Sequence, residues 1–228
     1  MSAIIKRGEK PAGLAEDGVA REVPGMPRIS REQKKLNRTR IVSAAGEGFR
    51  ARGIDGIGLE ELMKNAGMTH GGFYNHFSSK EDLALEVLRQ GFTDSLDEVG
   101  AIRGKHPRSA RAALRDIVGG YLTASHRDHP ETGCASAALV ADAGRHGAEA
   151  QAEYRRGLEG YFSAFTEMVL ERARQDGAEL DPAKAREQAI TLFSQMVGAM
   201  VISRAVAQAA PALSDEILAA NRRQLKQE

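Results

Sequence analysis

The sequence predicts an all-α protein, and three observations support that fold class. The chain of 228 residues contains no tryptophan, and aromatic residues make up only 5% of it. Alanine and leucine dominate its longer segments, where apolar residues recur at the three- and four-residue spacing of an amphipathic helix. The alternation of Val, Ile and Thr that is typical of strands is scarce. With 42% hydrophobic residues, the chain can form one large domain or a small domain plus a larger one.

Helix start and stop signals divide the N-terminal part of the chain. Glycine, proline and charged residues dominate residues 1–30 without a sustained period, which is typical of a mobile tail. Gly67 stops one short helix, and the Thr69 hydroxyl is placed to cap the next. Ser78 and Glu81 fit the S-x-x-E capping box of a further helix. The predicted elements are a disordered tail at 1–30, helices at 31–52, 59–66 and 70–77, and a fourth helix that begins near Ser79.

Longer helices fill the rest of the chain, separated by loops that contain proline or glycine. Asp181 is predicted to cap one of these helices, with Pro182 at the first helical position. Proline suits that position because the backbone N–H it lacks would have no partner within the helix. The predicted helices run from KHPRS to about His126, from Cys134 to about Arg145, over about 148–175 and 182–209, and onwards from Pro211.

Positive charge is concentrated at the N-terminal end. The net charge of the whole chain is only +1. Residues 1–80 carry 14 Lys and Arg against 9 Asp and Glu, whereas residues 81–228 carry 18 against 22. A basic N-terminal part on an acidic body favours a nucleic-acid-binding module, although a solvated helix face explains the charge alone equally well.

Cysteine content and hydropathy bear on the compartment. The single cysteine, Cys134, excludes an intramolecular disulfide framework and suits a reducing cytosol. The first residues, MSAIIKRGEK, lack the apolar region of a signal peptide. The most apolar segment, AITLFSQMVGAMVI, includes Thr, Ser and Gln and is shorter than the roughly 20 residues of a membrane span. We therefore expect a soluble, cytoplasmic protein with no membrane partner.

The helices at 31–52, 59–66 and 70–77 are predicted to form one unit. Two short helices that are joined by a tight glycine-containing turn and packed on a longer helix are typical of a helix-turn-helix. In that motif the second short helix enters the major groove of DNA with its N-terminal residues at the base edges. The alternative from spacing alone is a helical hairpin with a solvated polar face.

The stretch AGMTHGGFYNHFSSKEDL, from Ala66 to Leu83, suits the groove-entering helix. Phe73 and Phe77 lie four residues apart and are predicted to be buried, so the neighbouring Tyr74 faces outwards. An exposed tyrosine can bond to a phosphate or pack on a thymine methyl, and glycines let the backbone approach DNA closely. The candidate contacts from this reasoning are Gly71, Gly72 and Tyr74, His70 and Asn75 as base readers, His76 and Lys80 as phosphate contacts, and Arg38 and Arg40 on the first helix.

The block RTRIVSAAGEGFRARGIDGIGLEELMKNAGMTHGGFYNHFSSKEDLALEVL, residues 38–88, resembles the N-terminal domain of TetR-family transcriptional regulators. The resemblance implies a helix-turn-helix DNA-binding domain at 31–83 and a larger helical ligand-binding and dimerisation domain at 84–228. Gly58 departs from the family pattern, which often has Ser or Thr there to cap the second helix and contact phosphate. The residues that match the family's DNA contacts are Thr69, His70, Gly71, Gly72, Tyr74, Asn75, His76 and Lys80.

The resemblance also implies a homodimer and a small-molecule inducer. The segment QMVGAMVISRAVAQAAPALSDEIL resembles the family's last two helices, which pair with their copies in a second subunit as a four-helix bundle. The implied function is a ligand-responsive repressor that an inducer releases from a palindromic double-stranded DNA operator, without a cofactor. The predicted dimer residues are Phe193, Met196, Val197, Met200 and Val201, and the candidate pocket residues are Tyr121, Cys134, Tyr161, Phe162 and Phe165.

Cys134 leaves other hypotheses open. A helix N-terminus there favours the reactive thiolate of a redox or electrophile sensor, whereas a buried free cysteine is commonly a small hydrophobe. Together with His126 and His129 it is also a candidate metal ligand, at a spacing that matches no standard site. An enzyme with Cys134 as nucleophile needs a third orienting group and an oxyanion site, and the sequence shows neither. The last alternative is a helical interaction module, which the basic first helix and exposed Tyr74 argue against. We expect no metal and no enzymatic activity.

Overall fold

The computed structural model describes residues 30–227, and every regular element in this range is helical. The prediction of an all-α fold is therefore confirmed. The predicted disordered tail lies outside the described residues apart from Ser30. Two 3-10 helices lie at His70–Asn75 and Pro130–Thr132. Within the described range the α-helices are α1 (Arg31–Arg52), α2 (Leu59–Asn65), α3 (Lys80–Lys105), α4 (Ala110–Tyr121), α5 (Ala124–Asp128), α6 (Ala135–Ala138), α7 (Val140–Arg145), α8 (Gly147–Gln175), α9 (Pro182–Val206) and α10 (Pro211–Gln227).

Residues 31–83, which we call the head, close around a small apolar core. Ser30 caps α1, because its hydroxyl accepts the N–H of Gln33 at 3.0 Å. Gly67, at a φ of 71°, ends α2 in the left-handed conformation that glycine adopts without a steric penalty. The buried residues of this core are Ile41, Ala45, Phe49, Ile54, Ile57, Leu62, Met63, Phe73, Phe77 and Leu83.

The cap of α3 lies one residue later than the sequence pattern predicts. The Ser79 hydroxyl accepts the N–H of Asp82 at 3.0 Å, and α3 begins at Lys80. Ser78 is exposed and takes no part in the cap. The prediction of Ser78 and Glu81 as the capping box was wrong because two adjacent serines offer two registers, and it is Ser79 that takes the extended backbone and the hydrogen bond of a cap residue.

Two predicted helices of the body, residues 84–227, are broken into shorter pieces. The helix expected to reach His126 ends at Tyr121, after two glycines, and Thr123 caps α5 by accepting the N–H of His126 at 3.1 Å. The helix expected from Cys134 to Arg145 is divided at Leu139, whose side chain is fully buried. By contrast, Asp181 caps α9 as predicted, with Pro182 at its first position.

The body is a layered bundle in which α8 packs along α3 and α9, and α9 packs along α10. Helices α3 and α8 approach most closely where Gly157 faces the ring of Phe92. A Cβ atom added at Gly157 would lie 2.2 Å from that ring, so only glycine fits here without a shift.

Head and body share α3 and also meet through polar contacts between α1 and the segment 131–146. The Arg50 Nε donates to the carbonyl of Glu131 at 2.8 Å. The Asp142 carboxylate accepts the N–H of Ile54 at 2.8 Å. These contacts lie at the C-terminal end of α1, whereas its N-terminal half carries the exposed basic residues.

Among the described residues, α9 is long and apolar enough to cross a membrane, judged by length and composition alone. The whole helix has 25 residues, so it exceeds the length that the apolar segment by itself suggests. In this fold it packs against α8 and α10, and a core helix of a bundle meets the same criteria.

The contact at Gly157 predicts opposite effects for two Gly→Ala changes. Gly157→Ala should lower the free energy of unfolding by about 1–3 kcal/mol, because the new methyl group overpacks Phe92. Gly100→Ala, on the exposed side of α3 with open space around it, should raise it by about 0.5–1 kcal/mol through helix propensity. Urea unfolding of both variants at one protein concentration measures this; equal effects would contradict the close approach of α3 and α8.

Candidate nucleic-acid interface and effector cavity

The turn and the 3-10 helix at 70–75 present an aromatic side chain to solvent. Phe73 and Phe77 stack at 5.6 Å between ring centroids and are buried, as the sequence predicts. Tyr74 is 63% exposed, with its ring edge-on to Phe73 at 5.3 Å and to His70 at 6.2 Å. Two ring contacts therefore orient an otherwise free tyrosine, whose hydroxyl points away from the core of the head.

The two glycines of this helix are not required by packing inside the chain. A Cβ atom at Gly71 would meet nothing within 4 Å among the described residues. At Gly72 it would make ordinary contacts, at 3.5 Å from the Thr69 hydroxyl and 3.9 Å from Met63. Neither glycine has positive φ. The missing side chains thus leave a bare surface that an external partner can approach.

Most of the other predicted contacts lie around this bare surface. Thr69, His70 and Asn75 are exposed. The Thr69 hydroxyl does not cap the 3-10 helix, contrary to the sequence prediction, so it is left for another partner. The remaining basic candidates are the exposed Arg40 and the half-buried Lys80.

Arg38, a predicted DNA contact, makes internal contacts in this structure. Its guanidinium pairs with Glu86 of α3, donates to the carbonyl of His76, and lies 4.0 Å above the ring of Phe77. The sequence did not indicate this because Glu86 lies 48 residues away, on another helix.

His76, a predicted phosphate contact, is partly enclosed by the head. Its ring is half-buried, and its Nδ1 has no hydrogen-bond partner among the described residues. Burial, and then the charges of Lys34 and Arg38, lower the pKa of His76 and disfavour the cation that would attract a phosphate.

Helix α2 begins at Gly58 without a side-chain cap. The departure from the family pattern at this position therefore has a structural consequence. The first N–H groups of α2 lack the hydroxyl acceptor that Ser or Thr would supply.

The body contains a cavity of about 410 Å³ between α3, α4, α8, α9 and the segment 126–134. Four of the five candidate pocket residues line it, namely Tyr121, Cys134, Tyr161 and Phe165. The fifth, Phe162, does not, because it lies one residue round the helix and packs edge-on against Phe193. The remaining wall is apolar at Val99, Ile102, Ile117, Phe193 and Met196, and polar at Arg50, Asp94, Ser95, Glu98, His126 and Thr132.

Cys134 is surrounded by hydroxyl groups at the cavity wall. Its Sγ lies 2.8 Å from the Ser136 hydroxyl and 3.4 Å from that of Tyr161, and the residue is 9% exposed. Burial and the nearby thiol raise the pKa of Tyr161, so its hydroxyl stays protonated. The chain holds no second cysteine with which this thiol could form an internal disulfide.

His126 supports the segment before Cys134 rather than activating the thiol. Its Nδ1 is 2.8 Å from the Tyr121 carbonyl, and its Nε2 is 3.1 Å from the Cys134 N–H. These contacts require a neutral ring with the proton on Nδ1, and burial lowers the pKa of His126 accordingly. A Cys–His catalytic pair is therefore not formed here, since Nε2 is already occupied as an acceptor.

The metal-site alternative finds no support in this geometry. Both His126 nitrogens are engaged with the backbone, and the exposed His129 faces Glu131 at 3.1 Å. Within residues 30–227, no three His, Cys, Asp or Glu side chains are grouped so that they could hold a metal ion.

The predicted dimer residues lie largely inside the single chain. Phe193, Met196 and Met200 are at most 3% exposed, and Phe193 stacks on Tyr161 with 4.4 Å between ring centroids. Only Val197 and Val201 are half-exposed. The first three pack inside the chain because α9 is apolar over a wide face, and the sequence does not distinguish the side that packs on α8.

The opposite side of α9 is the one that remains uncovered. Ile190 is 37% exposed and Ile202 is 56% exposed, with Ser194 and Gly198 between them on the same face. On α10, Leu213 is 47% exposed. We call Ile190, Ser194, Gly198, Val201 and Ile202 the α9 outer face.

Residues 41–87, which include the turn and the 3-10 helix, match the model of bacterial regulatory proteins of the tetR family. The N-terminal domain belongs to the TetR family. Over 88 residues the chain is 33% identical to the HTH-type transcriptional regulator TtgR of Pseudomonas putida, a match that covers 39% of this chain and 37% of that protein. The matches to three curated relatives span 34%, 43% and 37% of their lengths.

The likeness to solved structures of regulators extends over the helical body. The reduced form of NemR from E. coli superposes with a TM-score of 0.69 at 21% identity, over 84% of this chain and 96% of that chain. A TetR-family regulator from Agrobacterium tumefaciens superposes with a TM-score of 0.70 at 18% identity, over 85% and 97%. At these identities the likeness shows a shared fold.

The buried neutral His126 predicts a pH dependence of stability. In the unfolded chain this ring takes up a proton below about pH 6.5, whereas the folded ring, with its lowered pKa, does not. The free energy of unfolding should therefore be highest above that pH, where the ring is neutral in both states, and should fall as the pH drops below it. His126→Gln should reduce this slope by up to about 1.4 kcal/mol per pH unit.

Urea unfolding between about pH 5 and 8 tests this assignment. His129→Gln, at an exposed ring, is the matched control and should leave the slope in place. Because the pKa of His76 is also lowered, part of the pH dependence should remain in both variants. An unchanged slope in His126→Gln would contradict the neutral buried ring.

Proposed function

We propose that this protein is a dimeric, sequence-specific DNA-binding transcriptional regulator that responds to a small molecule, most simply a repressor released from a palindromic operator. The observation that carries the proposal is the exposed Tyr74 beside Gly71 and Gly72, within a helix-turn-helix that matches the TetR family. Relatives that share this domain are named as transcriptional regulators, which supports regulation over catalysis. The proposed site of action is the cytoplasm.

In the proposed complex, the 3-10 helix at 70–75 enters the major groove. Tyr74 contacts a phosphate or a thymine methyl, and His70 and Asn75 face base edges. Thr69, Lys80 and Arg40 bind phosphates from either side of the turn. The bare glycine surface lets the backbone reach the DNA, and Phe73 and Phe77 fix the direction of the helix by their burial.

The proposed effector site is the cavity of the body. Its volume of about 410 Å³ lies within the roughly 300–1,000 Å³ that is usual for small-molecule sites. Residues of α3 line the cavity, and the same helix starts at the end of the turn that carries the 3-10 helix. A ligand that prefers a different tilt of α3 would shift the head away from its DNA-binding geometry.

We propose that the second subunit covers the α9 outer face. A two-fold axis would pair α9 with its copy, as for the family's last two helices, and would bury Ile190 and Ile202. Gly198 in this face allows the two helices to approach closely, since a Cβ there meets nothing within 4 Å in the described chain.

A second candidate function, thiol-based sensing, is favoured by one observation. Cys134 lies in the cavity wall, where an electrophile that enters would meet its sulfur. Against it, the thiol is hydrogen-bonded to two neutral hydroxyls and has no histidine base. Cys134→Ser separates the two functions: loss of the response to oxidants or electrophiles, with DNA affinity retained, would support sensing.

Tyr74→Ala should weaken binding to the operator by at least about tenfold, or roughly 1.4 kcal/mol, because it removes the exposed ring that contacts the DNA in the proposed complex. Tyr74→Phe separates the two contacts: full affinity favours packing on a thymine methyl, and partial loss favours a phosphate bond. The measurement is footprint titration on DNA that wild type selects from a random pool. Wild-type affinity in Tyr74→Ala would remove Tyr74 from the interface, and failure of wild type to select any sequence would contradict the proposed function.

Ile202→Glu should convert the dimer to a monomer, because a carboxylate at a buried apolar interface loses its hydration without a partner. Val140→Glu, at a 40% exposed site on α7, is the matched control and should stay dimeric. Sedimentation velocity, with circular dichroism as a check of folding, measures both. A dimeric Ile202→Glu protein would place the interface elsewhere.

A further inference from the structure

The cavity contains a charged side chain that belongs to the head. Arg50, in the last turn of α1, lines it together with Tyr161 and Phe165 of α8. Its Nε donates to the Glu131 carbonyl, and no carboxylate of the described residues lies within ion-pair distance of it. Glu47, Asp94 and Glu131 attract this half-buried guanidinium only from beyond ion-pair distance, and burial outweighs them. Arg50 is therefore under-compensated, and an anion placed against it would remove part of that cost.

A second under-compensated guanidinium lies directly behind the cavity wall. Arg204 of α9 donates from Nη2 to the His126 carbonyl at 2.6 Å and from Nε to the Arg127 carbonyl at 3.2 Å. Its Nη1 is buried and has no partner among the described residues. A Cβ atom at Gly133, a lining residue, would lie 3.0 Å from Arg204 Nη2. Burial lowers the pKa of both Arg50 and Arg204, because the lost hydration outweighs the attraction of the nearby carboxylates, of which Glu131 acts on both.

The other charges of the cavity lie at its exposed rim. Asp94 and Glu98 of α3 are exposed, and the Gln90 amide donates to Asp94 at 2.7 Å. Solvent screens exposed carboxylates, whereas the two arginines act across a buried, less polar wall. The inner part of the cavity is therefore a positive and apolar environment. The buried Tyr121 hydroxyl, which has no hydrogen-bond partner among the described residues, adds a donor there.

We propose that the effector of this cavity is an organic anion, namely a carboxylate on an aromatic or aliphatic body. The carboxylate binds the Arg50 guanidinium, whose planar fork suits its two oxygens. The apolar body lies against Tyr161, Phe165 and Phe193. This inference rests on the proposed function in taking the cavity as the effector site, and it adds the chemical class of the ligand.

The same contact supplies a route from ligand to head. Arg50 belongs to α1, and its bond to the Glu131 carbonyl joins α1 to the body. A ligand carboxylate that binds the Arg50 guanidinium competes with the Glu131 carbonyl for its N–H donors. Ligand binding thereby exchanges a contact between head and body for a contact between head and ligand, which biases the orientation of α1.

Isothermal titration of the full-length protein with matched probes tests the ligand class. The probes are 2-naphthoate with 2-naphthamide, octanoate with octanamide, and 2-naphthylmethylammonium. At least one carboxylate should bind wild type more tightly than its amide does. Arg50→Gln should weaken that carboxylate about tenfold or more, equal to roughly 1.4 kcal/mol, and leave the amide unchanged. Arg50→Lys retains the positive charge but lacks the planar guanidinium, so its affinity for the carboxylate should lie between those of wild type and Arg50→Gln.

Arg52→Gln is the matched control, because Arg52 lies on the same helix but outside the cavity and pairs with Glu61 at 2.7 Å. It should bind every probe as wild type does, and thermal melting of each variant reports its folding. Equal binding of carboxylate and amide, preference for the ammonium probe, or no saturable carboxylate binding overturns the proposal. Operator binding of ligand-free wild type is measured on the same preparations, so a failure of the DNA-binding function is seen separately.

Discussion

The continuity of α3 is the constraint on which the rest of the structure depends. This helix of 26 residues begins at the Ser79 cap, directly after the turn and 3-10 helix of the head. Its first half buries Leu83, Val87 and Leu88, and its second half buries Phe92 and Val99 in the body. One continuous helix thus packs in both the head and the body, whose buried residues form a single cluster. A tilt of α3 at the cavity would therefore also move its first turn in the head.

The segment 126–139 holds α3 against α1 and α9. Gly91 of α3 lets the helix approach so closely that a Cβ there would lie 2.8 Å from that of Ala135. On one side of the segment the Glu131 carbonyl accepts from Arg50, and on the other the carbonyls of His126 and Arg127 accept from Arg204. The segment consists of short helices, so carbonyls near the helix ends lack helical partners and accept from these arginines. The guanidinium groups of Arg50 and Arg204 therefore donate to backbone carbonyls beside the cavity rather than to carboxylates.

The sequence was sufficient at several places where local chemistry decides the structure, but not at the caps predicted for Ser78 and Thr69. The spacing of Phe73 and Phe77 determined that Tyr74 faces solvent, and Asp181 with Pro182 identified the start of α9. It was insufficient wherever two distant elements choose between similar faces. Phe193 packs on Tyr161 and Ile202 stays exposed, but nothing in the sequence of the apolar helix α9 distinguishes these two faces. The pairing of Arg38 with Glu86 and the place of Arg50 in the cavity depend on tertiary contacts that no local pattern encodes.

Buried polar atoms without partners connect stability with regulation. Among the described residues these are His76 Nδ1 in the head and Tyr121 Oη and Arg204 Nη1 beside the cavity. Each such atom costs about 1–3 kcal/mol when a bond is lost on burial. A fold selected for stability alone would fill these positions with apolar side chains, so their presence at the cavity favours a bound partner that satisfies them. Arg50 of the head also lines the cavity, so in the proposed complex a bound partner would change the contacts that position α1.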